Sequence, residues 1–294
     1  MKKFILIGHP VGHSVSPAIH HAAYDELGIA AQYTTVDCPD RQTVEEQVQA
    51  LRLGIIDGAN VTVPHKQLAF ELADEIHPTA KRVGVANVLA RTEQGQIVAY
   101  NTDASALAQE LSASVVAARV DAQARPSALV LGNGGAAKAA VVACQLAGIT
   151  RVAVSARRFS SELGEQTWPE AQAFVELGAR ILPWPAENAP QVADWLSQTH
   201  LLVQATSAGM KGAQGGVELS DALPWESFEY GVAYDLVYNP QVTPFLAQAK
   251  ARGHFPAGGL GMLVGQASDA IKIWLGQAPS REPLMSAARK ALGL

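Results

Sequence analysis

The stretch ALVLGNGGAAKAAVVACQLAG, residues 128–148, joins two patterns that together indicate the fold of the second half of the chain. Its apolar start is typical of a short buried strand, and the alanine-rich segment that ends it is typical of a helix. Between them, Gly132, Gly134 and Ala137 have the spacing G-x-G-x-x-A. A strand, such a loop and a helix in this order form the fingerprint that binds the pyrophosphate of a dinucleotide.

The end of the next strand indicates which dinucleotide is bound. Dinucleotides without a 2′-phosphate, and S-adenosylmethionine, are held there by an acidic residue that binds the ribose. This chain instead has VSARRFS, with Ser155, Arg157 and Arg158. Two guanidinium groups favour a 2′-phosphate, because they bind it through charge and paired hydrogen bonds. The sequence therefore predicts NADP rather than NAD, and it disfavours a nucleotide-binding transferase.

Composition limits the remaining classes of function. The chain has 294 residues, of which 48% are hydrophobic and 17% charged, enough for two folded domains. The net charge of −5 gives no basic surface, so we expect no nucleic-acid partner. No segment approaches the roughly 18 apolar residues of a membrane span, and the apolar run in MKKFILIGHP is too short for a signal peptide.

The cysteines and histidines do not suggest a metal site. Cys38 and Cys144 are the only cysteines, and they suit a reducing, cytoplasmic compartment. Six histidines fall in the first half of the chain, but neither they nor the cysteines have the spacing of metal ligands. We therefore expect no metal and a cytoplasmic location.

Strand and helix patterns alternate along most of the chain, which predicts an α/β fold with mostly parallel sheets. The segments VANVLART and QIVAYN resemble the two arms of a hairpin, so the first sheet is expected to be mixed. Residues 120–127, VDAQARPS, are a candidate junction before a second α/β unit. The last 50 residues have helical patterns, and the final helix, from Ser280 to Leu292, is either a cap or an interface that would make a homodimer.

A lysine in the first half occupies an unfavourable position. In GANVTVPHKQLAFELADE, residues 58–75, a strand turns Asn60 and Thr62 away from the core, and a helix begins near Pro64. Lys66 then lies in the first turn of that helix, where the helix dipole disfavours a cation by a few tenths to about 1 kcal/mol. A lysine in this position suggests a role in chemistry.

Two other helix starts carry polar groups that could meet this lysine. Pro17 suits the first helical position, which would make Ser16 the N-cap and bring its hydroxyl near that of Ser14, a natural seat for a carboxylate or phosphate. In NTD, Thr102 or Asp103 can cap the next helix. Helix starts that follow parallel strands share one edge of a sheet, so we expect Lys66 and Asp103 to form an ion pair usable in proton transfer. Ordinary caps and a structural salt bridge are the alternatives.

Eight motifs in order give the chain a recognisable pattern: GHSVSPAIHHAAY, GANVTVPHK, GVANVL, NTD, GNGGAA, ATSAGM, YDLVYNPQVTPFL and GLGMLVGQA. Over nearly its whole length the sequence resembles the shikimate dehydrogenase family. The resemblance implies NADP-dependent reduction of 3-dehydroshikimate to shikimate. It also implies two domains: a mixed α/β substrate domain, residues 1–103 plus 243–294, completed by the C-terminal helices, and a Rossmann-like NADP-binding domain, residues 104–242.

The same resemblance implies a role for each matching residue. Lys66 and Asp103 match the catalytic pair. The implied substrate-binding residues are Ser14 and Ser16, which would hold the carboxylate, and Asn60, Thr62, Asn87, Tyr234 and Gln266. The implied cofactor-binding residues are Gly132, Asn133, Gly134, Gly135, Ala136, Ser155, Arg157, Arg158, Thr206, Gly259 and Met262, the last near the nicotinamide.

The chain departs from the family's usual pattern at a few positions. Ala104, Ser105 and Ala106 follow NTD, where the family usually begins with glycine, and Gly258 stands where an aspartate is common. A quinate/shikimate dehydrogenase, or a related enzyme acting on another ring acid, is the nearest alternative. A non-catalytic NADP-binding sensor is a further one, although it would not need both Lys66 and Asp103.

Overall fold

The computed structural model describes residues 1–118, 126–159, 169–185 and 189–294. The chain divides into two units: the first unit is Met1–Ala106 with Leu263–Leu294, and the second unit is Leu107–Met262. The chain therefore enters the second unit once and returns to complete the first.

The first unit contains a six-stranded mixed sheet. Its strands are β1 (Lys2–Gly8), β2 (Ala31–Asp37), β3 (Gly58–Val61), β4 (Glu75–Ile76), β5 (Val88–Arg91) and β6 (Ile97–Tyr100). They lie in the order β2-β1-β3-β5-β6-β4. The pairs of β1 with β2 and β3 are parallel, whereas β5 is antiparallel to both β3 and β6. The predicted hairpin and the mixed character of this sheet are confirmed.

Helices cover the faces of this sheet. They are α1 (Ser16–Leu27), α2 (Arg41–Arg52), α3 (Lys66–Leu72), α4 (Pro78–Val83), the start of α5 (Asp103–Ala117), most of α11 (Leu260–Leu275), and α12 (Arg281–Leu292). The final helix packs against α1, and its Leu284 and Ala288 are fully buried. The apolar face of α12 therefore caps the first unit.

The second unit contains a six-stranded sheet in which every pair is parallel. Its strands are β7 (Ser127–Leu131), β8 (Arg151–Ser155), β9 (Arg180–Leu182), β10 (Leu201–Gln204), β11 (Val232–Asp235) and β12 (Phe255–Gly258). The spatial order is β12-β11-β10-β7-β8-β9. Renumbered within the unit, this is 3-2-1-4-5-6, the order of a dinucleotide-binding Rossmann fold.

The remaining helices accompany this parallel sheet. They are α6 (Gly135–Leu146), α7 (Pro169–Glu176), α8 (Ala189–Leu196), α9 (Gly216–Asp221) and α10 (Pro244–Ala251), with a short 3-10 turn at Trp225–Ser227. Strands β7, β10 and β11 are buried along their whole length, as expected of a parallel sheet that is covered on both faces. The predicted fold class, α/β with two domains and a Rossmann-like second unit, is confirmed.

The second domain boundary differs from the expectation. The sequence assigned everything after residue 242 to the first domain, but the second unit extends to Met262. The reason is that β12 pairs in parallel with β11 and supplies the sixth strand of the Rossmann sheet, with α10 as its crossover. Of the candidate junction at 120–127, residues 120–125 lie outside the described part of the chain.

Candidate active site

An ion pair between Lys66 and Asp103 lies at one edge of the first sheet. Lys66 is the first residue of α3 and Asp103 the first of α5, and the helices follow β3 and β6. The Lys66 Nζ atom is 2.6 Å from the Asp103 Oδ2 atom, and the side chains are 16% and 7% exposed. The pair therefore differs from an exposed surface salt bridge, because it is largely shielded from bulk water yet retains some access.

The carboxylate of Asp103 does not cap its own helix. The sequence offered Thr102 or Asp103 as the cap of α5, and Thr102 holds the N-cap position, because its carbonyl accepts the Ala106 N–H at 3.2 Å. The side-chain capping bond, however, comes from Asn101, whose Oδ1 atom accepts the Ala104 N–H at 3.2 Å. Thr102 uses its hydroxyl elsewhere, donating to the Gln266 carbonyl at 3.1 Å. Because Asn101 takes the capping role, both oxygens of Asp103 are available to the site.

Asn87 orients Asp103 from the opposite side. Its Nδ2 atom donates to Asp103 Oδ1 at 2.9 Å and to the Thr102 hydroxyl at 3.0 Å. Its Oδ1 atom accepts the Thr102 N–H at 2.8 Å, which fixes which end of the amide faces the carboxylate. Asn87 is only 2% exposed, so its network is shielded from competing water. Asp103 thus lies between an ammonium and an amide.

Asn60 joins this network through a residue that the sequence analysis missed. The Tyr33 hydroxyl on β2 donates to Asn60 Oδ1 at 2.7 Å, and the Asn60 Nδ2 atom donates to the Asn87 carbonyl at 3.3 Å. Tyr33 is 1% exposed, and its ring stacks on that of His20. The alternating pattern of β2 indicates only that Tyr33 faces inward, and nothing local to it indicates a partner 27 residues away.

Ser14 and Ser16 come together as expected, although the cap differs. The Ser14 hydroxyl donates to the Ser16 hydroxyl at 3.1 Å and accepts the Ser16 N–H at 3.2 Å. The N-cap position belongs to Val15, and Ser16 is the first helical residue. Pro17 is therefore the second residue of the helix rather than the first. Two hydroxyls still meet at the start of α1.

Thr62 and Gln266 complete the polar residues predicted for the first unit. Thr62 is half-buried in the turn between β3 and α3, and its N–H bonds to the Ile7 carbonyl. Gln266 lies on α11, with its Oε1 atom 3.5 Å from Asn87 Nδ2 and its Nε2 atom donating to the Leu263 carbonyl at 3.0 Å. The Lys66–Asp103–Asn87–Gln266 group therefore forms one connected polar cluster.

The glycine loop of the second unit has the geometry that a pyrophosphate requires. Gly132 has a φ of 134°, and a Cβ atom there would lie 2.9 Å from the Ala205 carbonyl oxygen. Gly134 is the N-cap of α6, and a Cβ atom there would meet nothing within 4 Å. The loop therefore joins β7 to α6 beside the end of β10, at the point where the strand order reverses, and presents an open backbone at a helix start.

Around this loop, Asn133, Gly135 and Ala136 are partly exposed, and Arg157 and Arg158 are exposed in the turn after β8. Ser155 takes a different role from the one expected of a ligand. It is fully buried, its hydroxyl donates to the Pro183 carbonyl at 2.7 Å, and its own carbonyl accepts the Gly132 N–H at 2.9 Å. Ser155 therefore stabilises the glycine loop through its backbone carbonyl, and its hydroxyl is already bonded within the protein.

Three other predicted cofactor residues lie in the second unit. Thr206 follows β10, and its hydroxyl accepts the Ala208 N–H at 3.1 Å. Gly259 is buried, and a Cβ atom there would lie 2.2 Å from the Leu236 carbonyl, so no other residue fits. Met262 is 9% exposed near the start of α11.

Tyr234, the remaining residue predicted for the substrate, belongs to the second unit. It lies within β11 of the second unit and is 1% exposed. Four residues later, Tyr238 lies beyond the carboxyl end of the same strand and is half-buried, and burial raises the pKa of its hydroxyl. Because ligands of open α/β sheets bind beyond the carboxyl ends of strands, Tyr238 is the better placed of the two tyrosines. The sequence analysis did not single it out.

Comparison with known proteins identifies the family to which these units belong. The family model described as the shikimate dehydrogenase substrate binding domain matches residues 6–89. Shikimate dehydrogenase (NADP(+)) of Citrifermentans bemidjiense is 36% identical over 280 residues, covering 93% of this chain and 90% of that protein. The chain belongs to the shikimate dehydrogenase family. The resemblance inferred from the motifs is confirmed.

Solved members of the shikimate dehydrogenase family share the fold over the full chain. The crystal structure of the Thermus thermophilus enzyme with shikimate has 33% identity and a TM-score of 0.80, covering all of both chains. A structure of the same enzyme with NADP(H) and shikimate gives a TM-score of 0.79 and covers 99% of this chain and all of that one. The part of this chain that matches the family model of the substrate binding domain, residues 6–89, contains Asn60, Lys66 and Asn87.

Two further observations concern the described residues alone. They contain no group of three or more histidine, cysteine, aspartate or glutamate side chains placed to hold a metal ion. Among the helices described, none is both long enough and apolar enough to span a bilayer.

Proposed function

We propose that this chain catalyses the reversible, NADP-dependent interconversion of 3-dehydroshikimate and shikimate. The observation that carries the proposal is the shielded contact of Lys66 Nζ with Asp103 Oδ2 at 2.6 Å, in the unit that matches the family's substrate-binding model. The names of the relatives support the same activity. Bound NADP would supply or accept the hydride.

In this proposal Lys66 donates the proton that a ketone oxygen needs when it becomes an alcohol. An ammonium is a suitable donor because it carries three protons and stabilises the negative charge that develops on the oxygen. Asp103 holds the ammonium through Oδ2 and is itself held by Asn87 through Oδ1. Asp103 therefore orients the donor and offers an acceptor to a neighbouring ring hydroxyl.

Asn60, Thr62, Asn87 and Gln266 bind the ring hydroxyls, and the hydroxyls of Ser14 and Ser16 bind the carboxylate. Amides and hydroxyls both donate and accept, which suits a ring that carries several hydroxyl groups. Asn60 and Asn87 are buried and fixed by Tyr33 and Thr102, so their orientation is set before a substrate arrives. The assignment of Tyr234 to the substrate stays a prediction, and Tyr238, beyond the end of the same strand, is the alternative tyrosine.

The second unit would hold NADP at the loop of residues 132–137. The open backbone at Gly134 and the N-terminus of α6 suit the pyrophosphate, and Arg157 and Arg158 suit the 2′-phosphate. Thr206, Gly259 and Met262 line the neighbouring strand ends, whereas Ser155 supports the loop. We also propose a cytoplasmic location, supported by two free cysteines, and leave homodimerisation as a prediction that sedimentation can test.

A steady-state screen tests the proposed function. Shikimate and quinate are each offered with NADP⁺ and with NAD⁺, and the reduced nicotinamide is followed by absorbance. We expect the highest kcat/KM with shikimate and NADP⁺. A preference for quinate would instead make quinate, a related ring acid, the substrate. A site that hydrogen-bonds a substrate hydroxyl discriminates strongly against a ligand that differs at that position. Binding of NADP⁺ without turnover of either acid would instead support the alternative of a non-catalytic NADP-binding sensor.

A further inference from the structure

The start of α5 packs closely against one face of α11 and is hydrogen-bonded to it, next to the polar cluster of Lys66, Asp103, Asn87 and Gln266. A Cβ atom at Gly265 would lie 3.1 Å from the Ala106 Cβ atom, so this glycine permits a close approach of the two helices. One residue along, the Gln266 carbonyl accepts the Thr102 hydroxyl at 3.1 Å. One turn further, the Ser105 hydroxyl donates to Asp269 Oδ2 at 2.9 Å.

The last of these contacts is not explained by helix stability. Ser105 already has a local acceptor, the Thr102 carbonyl at 3.2 Å, which would satisfy its hydroxyl without any partner on α11. Asp269 is partly buried in the middle of α11, where desolvation disfavours a charged carboxylate and raises its pKa, while the Ser105 bond and Lys272 act in the opposite direction. Partial burial of an aspartate lowers the stability of the fold unless the carboxylate is hydrogen-bonded, and Ser105 supplies such a bond.

Gln266 connects this contact to the site. It lies three residues before Asp269, so the two side chains leave α11 on the same face. Its Oε1 atom is 3.5 Å from Asn87 Nδ2, but the two protons of that nitrogen already go to Asp103 and Thr102, so the position of the Gln266 amide depends on α11 rather than on Asn87. Asp103, in contrast, is held by Lys66 and Asn87 whatever the position of α11.

We propose that Ser105 and Asp269 are positioning residues that set the rotation of α11 and thereby hold the Gln266 amide against the substrate's ring. We call this contact between Ser105 and Asp269 the clamp. The inference rests on the proposed function, because it assigns the clamp to the binding of that substrate.

The test compares Ser105→Ala, Asp269→Ala and Asp269→Asn with the unsubstituted protein. With NADP⁺ saturating, Ser105→Ala and Asp269→Ala should each raise KM for shikimate by about 2- to 10-fold, the effect of losing one hydrogen bond. The kcat value should stay within about twofold, since the Lys66–Asp103 pair is untouched. Asp269→Asn keeps an acceptor for Ser105 and should retain the original KM.

Ser112→Ala is the matched control. Ser112 lies on the same helix, and its hydroxyl donates at 2.9 Å to the Ala108 carbonyl of that helix rather than to α11. This variant should leave both kinetic constants unchanged. Melting temperatures of all variants show whether any effect follows from global destabilisation, and Ser105→Ala keeps the test open if Asp269→Ala does not fold.

A second background separates positioning from a general structural role. In Gln266→Ala, the clamp has nothing left to position, so adding Ser105→Ala should not raise KM for shikimate further. An equal rise in both backgrounds, or an unchanged KM in Ser105→Ala alone, would overturn the inference while leaving the proposed function intact. Absence of shikimate turnover in the unsubstituted protein would overturn both.

Discussion

Lys66 illustrates how a single residue can be placed against its local preference. As the first residue of α3 it lies at the positive end of a helix, where a cation is disfavoured by a few tenths to about 1 kcal/mol. The contact with Asp103 offsets this cost by bringing a carboxylate to 2.6 Å. The position therefore makes sense for an ammonium that is held ready to donate a proton.

Substitution of Lys66 by alanine tests this role. We expect kcat for shikimate oxidation to fall by about 100- to 10,000-fold, the usual contribution of a positioned acid or base, with KM changed much less. Lys81→Ala, which removes an exposed lysine from α4 of the same unit, is the control and should have no effect. Near-normal kcat in Lys66→Ala would remove the lysine from the chemistry.

The two arginines after β8 make a second prediction at the residue scale. Replacing Arg157 and Arg158 together by alanine should lower kcat/KM for NADP⁺ by about 10- to 100-fold, because a charge-assisted hydrogen bond contributes about 1.5–3 kcal/mol. Activity with NAD⁺, which lacks the 2′-phosphate, should change little. Arg151→Ala, at the opposite end of the same strand, is the control. An equal loss with both cofactors would contradict the assignment.

At the scale of elements, a buried histidine joins α1 to β2. His20 is fully buried, its ring stacks on Tyr33 with centroids 3.8 Å apart, and its Nδ1 atom is 3.3 Å from the Tyr24 hydroxyl. Burial, reinforced by the charge of the neighbouring His21, lowers the pKa of His20 to about 3. The folded state therefore holds a neutral imidazole where the unfolded chain would hold a cation below pH 6.5.

This difference predicts a loss of stability in acid. Because the folded pKa lies below the unfolded one, the contribution is fully present above pH 6.5 and is lost as pH falls toward the folded value. Between pH 7 and pH 5, the free energy of unfolding should fall by about 2 kcal/mol more in the unsubstituted protein than in His20→Phe, as urea unfolding would measure. His13→Gln, in an exposed loop, should resemble the unsubstituted protein. Parallel pH dependence in His20→Phe would contradict the prediction.

At the scale of the whole molecule, the chain has two units, each with its own sheet and an apolar core cluster. The polar cluster belongs to the first unit and the glycine loop to the second. This division suits the proposed two-substrate reaction, because the residues assigned to the ring acid and those assigned to the dinucleotide then belong to different sheets.

Thermal unfolding checks this assignment. A ligand at 100 times its Kd adds about 2.7 kcal/mol to the stability of the state that binds it, so NADP⁺ should raise the melting temperature by several degrees. NAD⁺ at the same concentration should raise it less. The shift with NADP⁺ should shrink in the Arg157→Ala/Arg158→Ala protein and persist in Lys66→Ala. An unchanged shift in the double variant would place the 2′-phosphate elsewhere.

The sequence alone was sufficient for features that depend on local pattern. The period of apolar residues predicted the α/β class, the glycine spacing at 132–137 predicted the Rossmann loop, and the polar helix starts predicted that Lys66 meets Asp103. These signals are readable because each lies within one strand–loop–helix segment. The ordered motifs were sufficient to indicate the family.

Tertiary structure decided what depends on distant partners. Only the folded chain shows that Asn101 caps α5 and so frees Asp103, and that β12 joins the second sheet and moves the domain boundary to Met262. The same holds for Asn87 and Gln266, which meet across 179 positions of sequence. A polar side chain can be satisfied locally or by a remote group, and nothing in the order of residues distinguishes these outcomes until packing brings the remote group within reach.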